Sequence, residues 1–513
     1  MMTQPTITVR MYRALGGEGS DYRGYLGDCF LIRVANELNP PAHILIDFGV
    51  LMGTTQAHER MRKIATDIVI MTGGKFDDEG KITQKGTLDL LVITHEHWDH
   101  LSGFSQAQDI IFSGLAIQQL WMAWTEDDND ALANQLRQER DRRTLSLAAL
   151  SEMIQKVAEG LNPSPLAADR QIALSGLDAF LGPLVEPVEQ ERADNGLAAR
   201  TTAPRRLQSR EIIAKLKTEA VSKAFLSPGQ VVTAPGGIKT YVLGPPRNIS
   251  RLKKDKPSGT AKETYFDNQA LEERLFRIVD NTPLDPDNDQ PFAKRFNCFH
   301  VEQVHASNEA SAGSDWSTFL WFKEHYFAQT SEDGCDLSRR TIDSDWMGAA
   351  GQLALKLDAD TNNTSLVLAF ELPDGTFMLF PGDAQVGNWL SWHDQSYLYG
   401  HQELTAADIL GRVRFYKVSH HGSDNATIKE RGLGLMTHPD LVAAISTDEA
   451  FGKQQGVKGW HMPDARLNDA LLAATKGRVF RNDDPTDTLY PHFDNRLSSC
   501  ELYLEYTVYN ATE

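Results

Sequence analysis

Three of the chain's fifteen histidines and one aspartate stand within the six residues His95-Glu96-His97-Trp98-Asp99-His100. They follow directly on Leu88-Asp89-Leu90-Leu91-Val92-Ile93-Thr94, whose consecutive apolar residues predict a buried central strand with its C-terminal end at a site. His95 and His97 are two apart, so in an extended or turning segment both imidazoles face one point. Asp99 and His100, a turn later, face a second point. Imidazole and carboxylate suit zinc, manganese or iron(II), and the spacing is that of a two-metal centre.

Such a centre needs a bridging carboxylate and further ligands from other parts of the chain. Pro381-Gly382-Asp383 places an aspartate just past a predicted strand, after a glycine that lets the backbone turn. Ser419-His420-His421-Gly422-Ser423 places two histidines at another predicted strand end. Ligands gathered from several strand ends onto one edge give a rigid site.

Together with Ile44-Leu45-Ile46-Asp47-Phe48-Gly49, these motifs resemble the metallo-β-lactamase fold superfamily. Gly27-Asp28-Cys29-Phe30-Leu31-Ile32, the run Asn362-Asn363-Thr364-Ser365-Leu366-Val367-Leu368 and the His-His-Gly-Ser motif are similar to its ComEC-type competence hydrolase branch. The resemblance covers residues 6–104, 237–246 and 360–480. It implies that His95 and His97 hold a first metal, Asp99 and His100 a second, and that Asp383 bridges them. By the same resemblance His420 is the later ligand of the second metal, His421 faces substrate or lies in the outer shell, and Asp47 supports the ligand loop. One departure stands out: the family's further metal-1 histidine, typically after glycine, has no counterpart between Leu101 and Gly382. His300, His305 and His325 lie in that interval without the expected context. Carboxylate and water in that position favour manganese over an all-nitrogen zinc set.

The implied chemistry is hydrolysis by hydroxide bound to two divalent ions, Zn or Mn, with Asp99 orienting the water and relaying its proton. The expected substrate is a phosphodiester, cut in a nuclease-like or nucleotide phosphodiesterase reaction, with Ser423, Asn425 and Asn363 as candidate donors to its oxygens. His461, in Trp460-His461-Met462-Pro463, is a candidate pocket residue. Two alternatives stay open: a thioester, lactone or amide hydrolase of the same fold, and a weakly catalytic binding or assembly platform.

Charge limits the partner. The net charge of −19, from 51 Lys+Arg against 70 Asp+Glu, argues against coating long DNA. The stretch from Arg247 to Lys262, with six basic residues, is read as a mobile loop and the one local surface for DNA phosphates. A small anionic ester therefore competes with DNA as substrate. Two features carry no site: Gly16-Gly17-Glu18-Gly19 lacks the partners of a phosphate loop, and the pairs Trp121/Trp124 and Trp389/Trp392 have the spacing of helix-face packing.

The expected fold is α/β, a four-layer αβ/βα sandwich with a large, mainly helical insertion. Its first part is residues 1–104, followed by a helical insertion at 105–235, a core strand at 236–248, an irregular insertion at 249–350, and a second part at 351–513. Helices are predicted over 55–69, 127–161 and 209–224, with Pro163 to Arg206 as linker, and a hairpin over 365–380. Four scattered cysteines without a CxxC pair, no apolar leader and no run of about 18–20 apolar residues lead to a cytoplasmic, non-membrane expectation. A homo-oligomer or a protein partner would use the helical insertion.

Overall fold

Strands buried on both faces read as continuous apolar runs, and this chain has several. The computed structural model describes residues 5–15, 25–36, 39–158, 208–254, 304, 313–327, 345–399, 402–455 and 459–510. In chain order the first strands are β1 Thr6–Tyr12, β2 Phe30–Ala35, β3 Ala42–Ile46, β4 Leu90–Val92, β5 Gln119–Ala123, β6 Ser222–Leu226, β7 Val231–Ala234 and β8 Ile238–Gly244. They are followed by β9 Val367–Glu371, β10 Phe377–Phe380, β11 Val413–Lys417, β12 Val442–Ile445, β13 Val479–Arg481, β14 Leu497–Ser499 and β15 Tyr503–Tyr509. The principal helices are α1 Ala57–Met71, α2 Trp98–Gln106, α3 Gln108–Gly114, α4 Ala131–Ala158, α5 Ser209–Glu219, α6 Asp345–Asn362, α7 Val386–Trp392, α8 Ala406–Gly411 and α9 Ala465–Ala474.

The class is α/β with mixed sheets. One sheet of eight strands has the order β6-β5-β4-β3-β2-β1-β15-β14, and one of seven has the order β7-β8-β9-β10-β11-β12-β13. In each, antiparallel pairs at one side give way to parallel pairs: β3 to β4 to β5 to β6 in the first, β10 to β11 to β12 to β13 in the second. The parallel strands point their C-terminal ends at the loops that carry Asp47, His95, Asp383 and His420-His421.

Alternation along the strands sorts the core. One apolar cluster draws Phe30, Ile44 and Val92 from the first sheet and Phe370, Phe380 and Phe415 from the second. Leu31, Leu45 and Leu91, on the opposite face of the first sheet, pack with Met61, Ile64 and Ile68 of α1 and Leu101 and Phe104 of α2. Met61, Ile64, Ala65 and Ile68 recur at helical spacing, which gives α1 one buried stripe. Ala369, Leu379 and Tyr416 of the second sheet pack with Trp389 and Trp392 of α7 and Ile409 of α8.

The chain divides into two compact units: Met1–Thr144 with Ser175–Ala261 and Leu355–Glu513, and Leu145–Leu174 with Lys262–Ala354. The strands above all lie in the first. In the second, a helix over Trp316–Phe322 continues into a wider turn in which the Trp321 and His325 rings stack at 4.7 Å. No described helix is long and apolar enough to cross a membrane.

The expected helix over 209–224 stops at Glu219. Residues 222–226 instead form β6, paired in parallel with β5. Phe225 is aromatic and favours a strand, and the free edge of β5 supplies backbone partners that local propensity cannot foresee. Both strands fall within the stretch read as helical insertion, so part of that stretch is sheet. Trp121 accordingly sits on β5, whereas Trp389 and Trp392 do share a helix face, their rings 4.0 Å apart. The linker at 163–206, the Gly16–Gly19 loop, His300 and His305 lie outside the described residues.

Candidate metal centre

The loops at the strand ends are locked to one another before any side chain is considered. Asp28 N–H donates to the Asp99 carbonyl at 3.0 Å, Phe48 N–H to that of His100 at 2.8 Å, and Asp47 N–H to that of Val92 at 3.0 Å. Gly49 permits this approach, since a Cβ there would stand 2.4 Å from the Asp99 carbonyl carbon. His97 caps α2 in an extended conformation, so His95 and His97 leave the strand before the helix turns Asp99 and His100 inward.

Four buried side chains converge. Ligand atoms of Asp99, His100, Asp383 and His421 all lie within 4.8 Å of one another. His421 Nε2 is 2.9 Å from Asp99 Oδ2 and 3.3 Å from Asp383 Oδ2, and His100 Nε2 is 3.2 Å from Asp383 Oδ2. Beside them His95 Nε2 faces His97 Nδ1 at 3.1 Å, and the His95 and His100 ring centroids are 4.1 Å apart.

The outer nitrogens are held from behind. Asp47 sits at φ 54°. Its Oδ1 accepts the Thr94 N–H at 2.8 Å, and its Oδ2 accepts the Thr94 hydroxyl at 2.6 Å and faces His100 Nδ1 at 2.8 Å. His421 Nδ1 donates to the Ser446 carbonyl at 2.8 Å. Each bond fixes a tautomer that turns Nε2 toward the cluster, the usual second support of a ligating histidine. Asp28, Asp47 and His100 also form an acidic group. Its oxygens serve Ser446, Lys417 and Thr94, so it reads as support for the four converging side chains.

His420 and His421 both have positive φ, 47° and 53°. The paired turns send the rings apart, with centroids 6.1 Å from each other. His420 points Nδ1 at Asn425 Oδ1, 3.4 Å away, and Nε2 at Asn362 Nδ2, 3.5 Å away. His421, where His420 was expected, is thus the histidine in contact with Asp99 and Asp383, while His420 lies near enough to feel both charges.

Burial opposes charge throughout, and the carboxylates decide which groups overcome it. Burial and the neighbouring imidazoles hold His95 well below the ordinary histidine range, and burial takes His97 down to about 4, so both keep a lone pair at neutral pH. Burial also works against the cation at His421, but Asp383 and Asp99 outweigh it and push the group up to about 10; His100 is raised in the same way. Asp383 is held well below the ordinary carboxylate range against its own burial by His100, His421 and Lys417. The carboxylates thus create one point of strong negative potential, and a divalent ion bound there would displace the protons it attracts.

Two residues of the centre, Lys417 and Asp358, carried no motif, and a third, Asp28, was singled out for no role. Lys417 is buried, with Nζ 3.2 Å from Asp383 Oδ1, a second bond of 3.0 Å to the Gly382 carbonyl and a short ion pair to Asp28. Asp28 was legible only as part of the glycine-led strand entry. Asp358, from α6, places Oδ1 3.8 Å from His97 Nε2; burial, then the Asp99 and Asp383 charges, push its pKa up to about 8. The Asp358-Ala-Asp-Thr-Asn362 spacing, which puts Asp358 and Asn362 on one helix face, was the only signal.

The candidate substrate donors engage the backbone and one another. Asn363 Oδ1 accepts the N–H groups of Gln385 and Asn388, each at 3.2 Å, and its Nδ2 donates to the Lys254 carbonyl at 2.9 Å, so its amide ties down the start of α7. The Ser423 hydroxyl donates to Asn425 Oδ1 at 3.0 Å. His461 is exposed. In the basic stretch, residues 249–252 form a helical turn, and Arg247, Arg251 and Lys253 pair with Asp130, Asp394 and Glu139; positions 255–262 lie outside the described residues.

A divalent cation fits the four converging side chains. Asp99 Oδ1 is buried with no hydrogen-bond partner among the described residues, and His100 Nε2 and Asp383 Oδ2 face each other at 3.2 Å without hydrogen-bond geometry. Buried polar atoms are ordinarily satisfied, and two imidazoles with two carboxylates are a mixed N/O donor set of the kind transition metals take. Comparison with protein-family models gives no match, and comparison with curated proteins gives none.

Proposed function

We propose that this chain is a metal-dependent hydrolase of the metallo-β-lactamase type, with its two large sheets as the inner layers of an αβ/βα sandwich. The observation that carries the reading is the convergence of Asp99, His100, Asp383 and His421 at the C-terminal ends of parallel strands. In this reading His95 and His97 would hold one ion and Asp99, His100 and His421 another, and Asp383 would serve both. Divalent ions held there would supply Lewis acidity and lower the pKa of water toward about 7.

The chain's own residues supply the rest. Asp99 Oδ2 is engaged by His421, which leaves Oδ1 to orient the attacking water and accept its proton. Lys417 fixes Asp383 by Oδ1, so that Oδ2 alone faces His100 and His421. Burial of every one of these groups keeps their electrostatics strong.

The substrate we propose is a small phosphodiester. The ion pairs of Arg247, Arg251 and Lys253 favour it over long DNA, because they occupy three of the four basic groups that the described residues offer in that stretch. Metal analysis of the purified protein, followed by assay with bis-nitrophenyl phosphate, cyclic dinucleotides, DNA, thioesters and lactams, tests the reading. Manganese- or zinc-dependent phosphodiester cleavage is the expected result. No bound transition metal and no hydrolysis after reconstitution would overturn it in favour of a binding platform.

A further inference from the structure

Three of the four histidines at the head of the centre have their outer nitrogen met by a defined group. His95 Nδ1 lies 3.1 Å from the Thr94 hydroxyl, His100 Nδ1 2.8 Å from Asp47, and His421 Nδ1 2.8 Å from the Ser446 carbonyl. His97 is turned the other way round. Its Nδ1 faces His95, so its outer nitrogen is Nε2, and the carboxylate facing that nitrogen is Asp358, one helical turn before the end of α6.

We infer that Asp358 is the positioning carboxylate of His97, delivered from α6 to hold the Nε2–H tautomer and so present Nδ1 to the centre. The inference rests on the reading of His97 as a ligand. A neutral imidazole carries one N–H, so a ring that coordinates through Nδ1 has its proton on Nε2 and needs an acceptor there.

Asp358 is built for that task. Its Oδ1 is buried without a hydrogen-bond partner among the described residues, and its Oδ2 accepts Asn362 Nδ2 at 3.2 Å, which orients the carboxylate from the next turn of the same helix. The 3.8 Å separation closes to hydrogen-bond distance with a side-chain shift of less than about 1 Å, and such contacts are commonly long before the site is loaded.

The test compares Asp358→Ala and the nearly isosteric Asp358→Asn with the wild type, using Zn²⁺ and Co²⁺ competition titrations and ¹⁵N NMR of the His97 ring in ion-free protein. Asp358→Ala is expected to weaken one metal equivalent by about 10- to 100-fold and leave the other unchanged, with a shifted Co²⁺ visible spectrum. Asp358→Asn, which still offers a carbonyl oxygen to Nε2–H, is expected to recover most of the loss. At about pH 9, where the Asp358 carboxyl is ionised, the ion-free wild type is expected to show the Nε2–H tautomer and Asp358→Ala a mixture. Unchanged affinities with an unchanged tautomer in both variants would overturn the inference while leaving the hydrolase reading intact. A wild type that takes up no ion overturns the hydrolase reading, and the tautomer in ion-free protein then decides the role of Asp358 by itself.

Discussion

Lys417 Nζ stands 3.2 Å from Asp383 Oδ1, and both groups are almost wholly buried, so a protein cation anchors the carboxylate at the middle of the centre. The same ammonium pairs with Asp28, whose backbone N–H holds the loop of Asp99. Two loops from two sheets are therefore tied to one charge.

Lys417→Met is expected to destabilise the protein by about 3–5 kcal/mol, measured by urea unfolding, because it leaves Asp28 and Asp383 buried and uncompensated. Adding Asp28→Asn should recover part of the loss. The sign with pH follows from the Lys417 pKa, which burial lowers but the Asp28 and Asp383 charges raise by more, to above its ordinary value. Its contribution is complete below the unfolded lysine pKa of about 10.4 and is lost only as pH rises through the folded value. The penalty for Lys417→Met should accordingly be flat between about pH 6 and 9.

His421→Ala and His420→Ala should separate. The first removes a member of the converging tetrad and is expected to abolish tight binding of one metal equivalent and all hydrolysis. The second removes a ring held by Asn362 and Asn425 and should retain both equivalents. Inductively coupled plasma mass spectrometry of dialysed protein reads the difference. Equal stoichiometry in the two variants would return the ligand role to His420.

Asp383→Ala and His97→Ala are both expected to give folded protein without turnover. Circular dichroism and the phosphodiester assay check this together, and full turnover in either variant rejects the site.

Asp47→Asn retains the shape of the side chain and weakens the acceptor for His100 Nδ1. A loss of about 10- to 100-fold in metal affinity is expected, with the fold preserved, by chelator competition.

Gly49→Ala places a methyl group 2.4 Å from the Asp99 carbonyl carbon. Because the obstacle is backbone, relief requires the ligand loop to move, and we expect at least about 1–3 kcal/mol of destabilisation together with weakened metal uptake. Thermal unfolding of the ion-free protein separates the two effects.

Much of the fold was legible locally. The run Leu90-Leu91-Val92-Ile93 marked a central strand, Val367–Glu371 and Phe377–Phe380 pair as the expected hairpin, and the helical stripe of Met61, Ile64 and Ile68 lies within the expected first helix. The end of α5 was not legible, because β6 exists through its pairing with β5 about a hundred residues earlier.

By itself the sequence determined the chemistry on offer: imidazoles and carboxylates at strand ends, glycines where backbones must touch, and a net charge of −19. Those follow from residue type and near-neighbour spacing. Only the tertiary structure decided which groups meet. His420 and His421 are adjacent and chemically identical, and positive φ at both sends one to Asn362 and the other to Asp99. Lys417 and Asp358 look like ordinary surface charges in the sequence, and they belong to the centre because packing removes their water and leaves Asp383 and His97 to face them. Burial and convergence are sums over segments distant in the chain, which is why local spacing could name the side-chain types and could not name their partners.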